Sequence, residues 1–378
     1  MKKFILISLV TLLICLANSS VWANTGTVSP GDTVNGTLEE WDGKLADDCY
    51  YDSWTISCEK GELLTVIESS GKIDPYLIIY SPDGESQWTN DDYSYETMPD
   101  ARIDVPINIS GEYEIVCTSY EPQTGTYELT VDLRQKPRYF GIFIGMDDYG
   151  WAYENAPKCD EDAHYMYRTF IDAGLMDPKD GIELLNHRSR RIDLENAFNE
   201  IRSKIGPDDI FIFFFSGHGD RVPVSTRDSG VDIDGYDEVI SLRDVDLPDN
   251  DLRSMLDGLG AGLTMVVIDS CHSGGFAADL RSLPNTVFYG ASEEDVVSAF
   301  AEELGAGGYL SLFFREAIDG DADLDGDGVL LIGELTHFLK QRLYEEWEVP
   351  DNSMWGFQEL VSERGTVGQD EIFCWFVE

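Results

Sequence analysis

A cysteine and a histidine, each carried on an apolar run that ends in glycine, are the residues of this 378-residue chain best placed to do chemistry. Met265, Val266, Val267 and Ile268 lead into Asp269, Ser270, Cys271, His272, Ser273, Gly274 and Gly275. Upstream, the apolar run 210–215 leads into Ser216, Gly217, His218 and Gly219. A short β-branched or aromatic run closed by a polar, glycine-bearing tip reads as a buried strand that brings its tip to the end of a sheet. Side chains alternate along a strand, so Ser216 shares a face with His218, and Asp269 with Cys271. If the two strands are parallel neighbours, all four meet in one crevice.

That meeting defines a chemistry. A thiol with a pKa of ~8.5 is only partly ionised at neutral pH, and an imidazole beside it either raises the thiolate fraction or takes the proton during attack. Cys271 is then the nucleophile that forms an acyl-enzyme, and His218 protonates the leaving amine. The backbone N–H groups of Gly219 and Cys271 are the expected oxyanion donors, since glycine lets the chain approach the carbonyl closely. His272 is the rival base, but it follows Cys271 directly and is expected on the opposite face. Asp269, at the exit of an apolar strand on the nucleophile's face, is costly to bury unless a cation meets it. An arginine or lysine of a substrate supplies one.

The elements around these tips divide the chain. Residues 1–23 carry Lys2 and Lys3, an apolar stretch over 4–16 and small residues ending at Ala23, the pattern of a secretory signal cleaved after Ala23. The apolar stretch is shorter than the ~20 residues of a membrane span, so the expected product is exported, soluble and monomeric. Residues 24–133 read as an all-β sandwich, with strands expected near 63–67, 76–80, 102–109, 113–118 and 126–131 and turn clusters between them. Cys49, Cys58 and Cys117 fall here, and the spacing leaves any pairing open. The polar, proline-bearing stretch 134–138 reads as a linker. From residue 139 to 378, strands alternate with helices near 160–173, 192–205 and 249–259, the pattern of an α/β doubly wound, mainly parallel sheet with flanking helices. Ligands in such sheets bind beyond the carboxyl ends of the strands, where both tips sit. A late hairpin is expected from 356–360 and 371–377.

Residues 139–343 resemble the caspase-like cysteine peptidases, and within them the metacaspase branch. The resemblance rests on Phe215, Ser216, Gly217, His218 and Gly219 with Asp269, Ser270, Cys271, His272, Ser273 and Gly274. The two tips stand 53 residues apart, close to the ~50 expected of caspases. The resemblance implies a Cys–His endopeptidase that cleaves after Arg or Lys, with a pocket lined by Asp269, Ser216, Cys159 and Asp162. It also implies a calcium site among acidic residues flanking the cysteine, matched here by Asp234, Asp249, Asp251 and Asp279. Arg281 and the 134–138 stretch are candidate processing points. The landmarks Asp74, Pro75, Tyr76, Asn90, Asp91, Asp92, Gly111, Tyr113, Gly125, Thr126 and Tyr127 resemble the bacterial pre-peptidase C-terminal domain, a jelly-roll-like module of secreted peptidases.

A second calcium signal is read directly from spacing. Asp323, Asp325 and Asp327 occupy positions 1, 3 and 5 of a twelve-residue EF-hand-like loop over 323–334. Gly328 takes the sharp turn, Val329 offers its carbonyl and Glu334 closes the loop. Calcium is thus the expected cofactor. With 26 Lys and Arg against 72 Asp and Glu, the formal charge of −46 disfavours nucleic acid and favours cationic substrates, so the expected partners are proteins or peptides bearing basic residues. Two alternatives stand beside this reading. One is a peptidase of the same architecture with legumain- or gingipain-like preference. The other is a non-enzymatic, calcium-stabilised surface-binding protein on the same scaffold.

Overall fold

The structure, a computed structural model, describes residues 25–92, 100–150, 155–223, 235–347 and 358–376. The leader expected over 1–23 and Asp234 lie outside the described residues. The chain divides into two compact units, 1–134 and 135–378.

Unit 1 is built from β1 (Thr25–Thr27), β2 (Thr33–Leu38), β3 (Gly43–Lys44), β4 (Tyr50–Cys58), β5 (Leu63–Ser69), β6 (Pro75–Tyr80), β7 (Gln87–Asn90), β8 (Ala101–Pro106), β9 (Gly111–Ser119) and β10 (Gly125–Arg134). One sheet runs β1-β4-β9-β6-β7, with β3 on β4, and the other runs β2-β10-β5-β8. Alternate residues such as Leu64 and Val66 on β5, Ile115 and Cys117 on β9, and Leu129 and Val131 on β10 fill the space between them. That core also admits polar groups. Trp54 Nε1 donates to Tyr127 Oη (3.1 Å), which donates to buried Asp52 Oδ2 (2.7 Å). All six cysteines of the described residues are free thiols, Cys49, Cys58 and Cys117 included. Sequence pattern misses β2, β4 and β7, whose Asn, Asp and Ser residues interrupt the alternation.

Unit 2 follows with β11 (Tyr139–Gly145), α1 (Cys159–Asp172), β12 (Gly181–Leu185), α2 (Arg191–Arg202), β13 (Ile210–Ser216), β14 (Gly219–Pro223), β15 (Tyr236–Ser241), β16 (Asp246–Pro248), α3 (Asp249–Leu256), β17 (Leu263–Asp269), α4 (Phe276–Leu280), β18 (Thr286–Gly290), α5 (Tyr309–Glu316), β19 (Val329–Leu331), α6 (Ile332–Trp347), β20 (Val361–Glu363) and β21 (Ile372–Trp375). Its main sheet is ordered β12-β11-β13-β17-β18-β20 and is parallel except for the edge strand β20. The strands β11, β13 and β17 are buried at every residue because helices cover both faces. Ile212 and Phe214 on β13 and Met265 and Val267 on β17 pack with α1, α5 and α6. Phe211, Phe213 and Phe215 with Val266 and Ile268 pack with α2, α3 and α4.

The late hairpin is not formed. β20 adds to the main sheet against β18, whereas β21 pairs with β19 in a separate two-stranded sheet. Each strand meets an edge left open by an earlier element, and the intervening residues do not make the tight turn that a hairpin needs.

Phe213 is fully buried and its ring stacks on Phe198 with centroids 6.1 Å apart. Phe213→Ala is expected to destabilise unit 2 by about 3–5 kcal/mol, measured as a lowered urea midpoint with little change in slope.

Candidate active site

The site is created by register. β11, β13 and β17 run parallel, and Ser216 lies opposite Asp269 at the carboxyl ends of their strands. Following the alternation of Ile212, Phe214 and Ser216, and of Met265, Val267 and Asp269, both polar side chains face the side covered by α1 and α5. Regular pairing stops there, so Gly217–His218 and Ser270–Cys271 curl over the sheet end. The two tips line one narrow cleft together with Cys159, Asp269, residues 298–300, Gly307 and Gly308. Its free volume of about 20 Å³ holds roughly one water.

The imidazole of His218 is held between two rings. Tyr149 lies 4.8 Å away by centroid, and Phe300 meets it edge-on at 6.4 Å. The Tyr149 hydroxyl also accepts the His218 backbone N–H at 2.7 Å. Cys271 Sγ donates to the Ser298 carbonyl at 3.7 Å. Burial pushes the Cys271 thiol up, the backbone of Ser298 works against that shift, and the nearby Asp269 adds to it. The thiol form of Cys271 is therefore favoured over the thiolate. His272 has left the strand in a left-handed conformation (φ 59°), and its Nδ1 lies 2.8 Å from the Glu294 carbonyl.

Gly219 marks a close approach of the two tips. A Cβ there would stand 2.2 Å from the Cys271 carbonyl oxygen and 2.6 Å from Ser270 Oγ. Ser241 N–H donates to the His218 carbonyl (2.9 Å), which makes Gly219 and Ile240 the non-bonded pair of the β14–β15 ladder. The N–H of Gly219 consequently turns away from β15.

Behind the dyad lie two buried carboxylates. Asp269 Oδ2 accepts both the N–H and the Oγ–H of Ser311, each at 2.7 Å. Burial, and then the neighbouring Asp162, raise Asp269 to about 7 against the lowering effect of Ser311. Asp162 accepts from Gly307 N (3.1 Å), Gly308 N (2.9 Å) and Ser216 Oγ (3.0 Å), while burial raises its pKa. It sits under the Gly307–Gly308 turn rather than on the cleft wall. Among the described residues no basic side chain forms an ion pair with either carboxylate. Cys159 opens α1 beside Ser216, and burial drives its thiol well above the ordinary range. Ser298, Ser311 and Tyr149 were not visible as site residues in the sequence, where only the glycine pair before α5 marks a close approach.

A separate group forms at 323–334. The carboxylates of Asp323, Asp325 and Asp327 offer oxygens all within 4.8 Å of one another. Asp323 accepts Gly326 N (2.8 Å) and Gly328 N (2.9 Å), and Gly328 takes φ +84°. Phe376 N–H donates to the Gly328 carbonyl (2.9 Å), so Val329 and Trp375 form a non-bonded pair and the Val329 carbonyl faces out of the ladder. Glu334 stands outside the trio, its oxygens accepting Leu324 N (3.1 Å) and Leu331 N (3.0 Å). Of the set named for the other calcium site, Asp234 lies outside the described residues. Asp249 and Asp279 are buried, whereas Asp251 is drawn into an ion pair with Arg191. Arg281 is exposed at the end of α4.

A mainly parallel sheet wrapped by helices, with a cysteine and a histidine at adjacent strand ends, defines a caspase-type α/β domain. The caspase-domain sequence family matches residues 139–316. That region is caspase-like and, by its relatives, metacaspase-like. Metacaspase-7 of Arabidopsis thaliana is 26% identical over 170 residues, covering 43% of this chain and 41% of the relative. Metacaspase-8 of the same plant is 31% identical over 147 residues, covering 37% and 38%. The chain thus spans about two fifths of the length of these relatives. A solved Geobacter sulfurreducens protein aligns over 64% of this chain and all of its own length at 17% identity and a TM-score of 0.46. Unit 1 and the 323–334 loop lie outside the family match.

Gly219→Ala is expected to lower the rate of Cys271 alkylation by an affinity probe by about a hundredfold, because the tips can no longer approach. The melting temperature, recorded alongside, is expected to fall by only a few degrees.

Proposed function

We propose that this chain is a cysteine endopeptidase that hydrolyses peptide bonds after Arg or Lys through Cys271 and His218. One observation carries the reading: the β13–β17 register, which sets Ser216 opposite Asp269 and so brings both tips to one cleft with a buried carboxylate behind it. Cys271 Sγ attacks the scissile carbonyl. Because burial keeps the thiol protonated, its proton passes to His218 as attack proceeds and then to the leaving amine. The N–H groups of Gly219 and Cys271 receive the developing oxyanion. Water, with His218 as base, then releases the acyl group and restores the thiol. The cleft at rest is narrow, so residues 298–300 must shift when a substrate enters, freeing Sγ from the Ser298 carbonyl.

The cation of a substrate side chain answers the Asp269–Asp162 pair. A guanidinium or ammonium beside Asp269 restores the charge balance that burial denies it. Cys159 and Ser216 complete the wall on the α1 side. An arginine-bearing fluoromethyl ketone and its uncharged citrulline analogue separate this preference from the titration of the dyad, which affects both equally. Below pH 7 Asp269 is protonated in the free protein, and above it Asp269 is ionised. The arginine-to-citrulline ratio of inactivation rates is therefore expected to rise as pH increases through about 7. Labelling is expected to disappear in Cys271→Ala. A ratio near one at every pH overturns the preference for a basic residue.

Calcium is the ion that suits 323–334. Three carboxylates, the Val329 carbonyl and Glu334 form a hard-oxygen donor set at EF-hand spacing. When bound, the ion would neutralise the trio and draw Glu334 towards it, which fixes the start of α6. Its role is structural support for unit 2. Calcium at a hundred times its Kd is expected to stabilise the chain by about 2.7 kcal/mol, read as a higher melting temperature, while Glu334→Gln needs at least tenfold more calcium for the same shift. We further read residues 1–23 as an export signal, unit 1 as a pre-peptidase-like accessory module, and the mature protein as a monomer acting outside the cytoplasm.

A further inference from the structure

α5 opens directly over the candidate substrate pocket. Gly308 precedes it in an extended conformation, and the first helical hydrogen bond runs from Leu312 N to the Gly308 carbonyl. The N–H groups before Leu312 therefore have no partner within the helix. Those of Gly307 and Gly308 go to Asp162, and that of Ser311 goes to Asp269. Ser311 adds its hydroxyl to the same oxygen, so Oδ2 of Asp269 accepts two donors from one residue. Among the described residues Oδ1 accepts none, and Asp269 lines the cleft. Gly308 makes room for the carboxylate, because a Cβ there would fall 2.0 Å from Oδ2 and 2.4 Å from Oδ1. Ser311 itself is fully buried and is not on the cleft wall.

We propose that Ser311 is a specificity-determining positioning residue: by holding Oδ2 of Asp269 from behind, it aims Oδ1 into the cleft and sets the preference for a cationic side chain without touching the substrate. The inference rests on the reading that Asp269 receives the basic residue. A doubly donated hydrogen bond favours the ionised carboxylate over the protonated one. The positive end of α5 acts in the same sense. Asp162 opposes both by like-charge repulsion. The hydroxyl of Ser311 is thus the adjustable part of this balance, since its N–H is fixed by the helix.

The test compares Ser311→Ala, Ser311→Thr and Asp269→Asn with the parent chain, using the arginine and citrulline probes across pH 5–9. Ser311→Ala is expected to lower the arginine-to-citrulline ratio at pH 7 by about tenfold and to move the midpoint of its pH dependence upward, leaving the citrulline rate within about twofold. Ser311→Thr, which keeps a hydroxyl, is expected to restore most of the ratio. An unchanged ratio and midpoint in Ser311→Ala, with the ratio abolished in Asp269→Asn, overturns the role of Ser311 and leaves the basic preference standing. A ratio that survives Asp269→Asn overturns both. Should Ser311→Ala fail to fold, Ser311→Thr against the isosteric Ser311→Val makes the same comparison.

Discussion

The constraint on which the second unit depends is the burial of Asp162 and Asp269 side by side with, among the described residues, no ion pair to either. An arrangement of this kind survives only if hydrogen-bond donors replace the lost water. The donors come from the start of α5, the turn before it and Ser216. The position of α5 over the sheet, the absence of side chains at Gly307 and Gly308, and the direction of Ser216 follow from that need. α1 and α5 are accordingly fixed to the sheet twice, by the apolar contacts of Met166, Phe170, Leu310 and Phe313 and by these carboxylates. A site built in this way carries its demand for positive charge before any ligand arrives.

Much of this is legible in the sequence where burial is uninterrupted. β11 and β13 carry no charge and β17 none before Asp269, so their extent and the polar tips that follow can be read directly. The meeting of Cys271 with His218 needed only the further assumption that their strands are parallel neighbours. The three-stranded sheet of β14, β15 and β16 is hidden because its strands are short and charged. Ser298, Tyr149 and Ser311 are hidden for another reason. Each acts through a loop or helix end whose position is set by tertiary packing, and each has an ordinary local environment in sequence. Ser311 reads as a polar residue in an amphipathic helix, yet it faces inward. Of the two late strands, the one expected over 371–377 forms as β21, the one expected over 356–360 is replaced by β20 just beyond it, and neither partner was legible, since pairing depends on which edges remain open.

The EF-hand-like loop has a comparable dependence on remote chain. Its outgoing segment β19 is shaped by pairing with β21, the last strand described. Tyr139, at the start of β11, donates to the carbonyl of Phe373 in that same strand (2.5 Å). The acidic loop is thus fastened to the opening of the main sheet through residues far away in sequence, and α5 leads into it from the other side. The loop and the cleft occupy opposite ends of one short helical path.

Favouring the neutral thiol of Cys271 has a chemical consequence apart from the proposed peptide hydrolysis. Peroxides and disulfides react with thiolates, and the ladder from sulfenic to sulfonic acid starts from that anion. A sulfur kept protonated by burial and capped by the Ser298 carbonyl offers oxidants little to attack. On the proposed reading the sulfur stays quiet until an incoming chain displaces that cap.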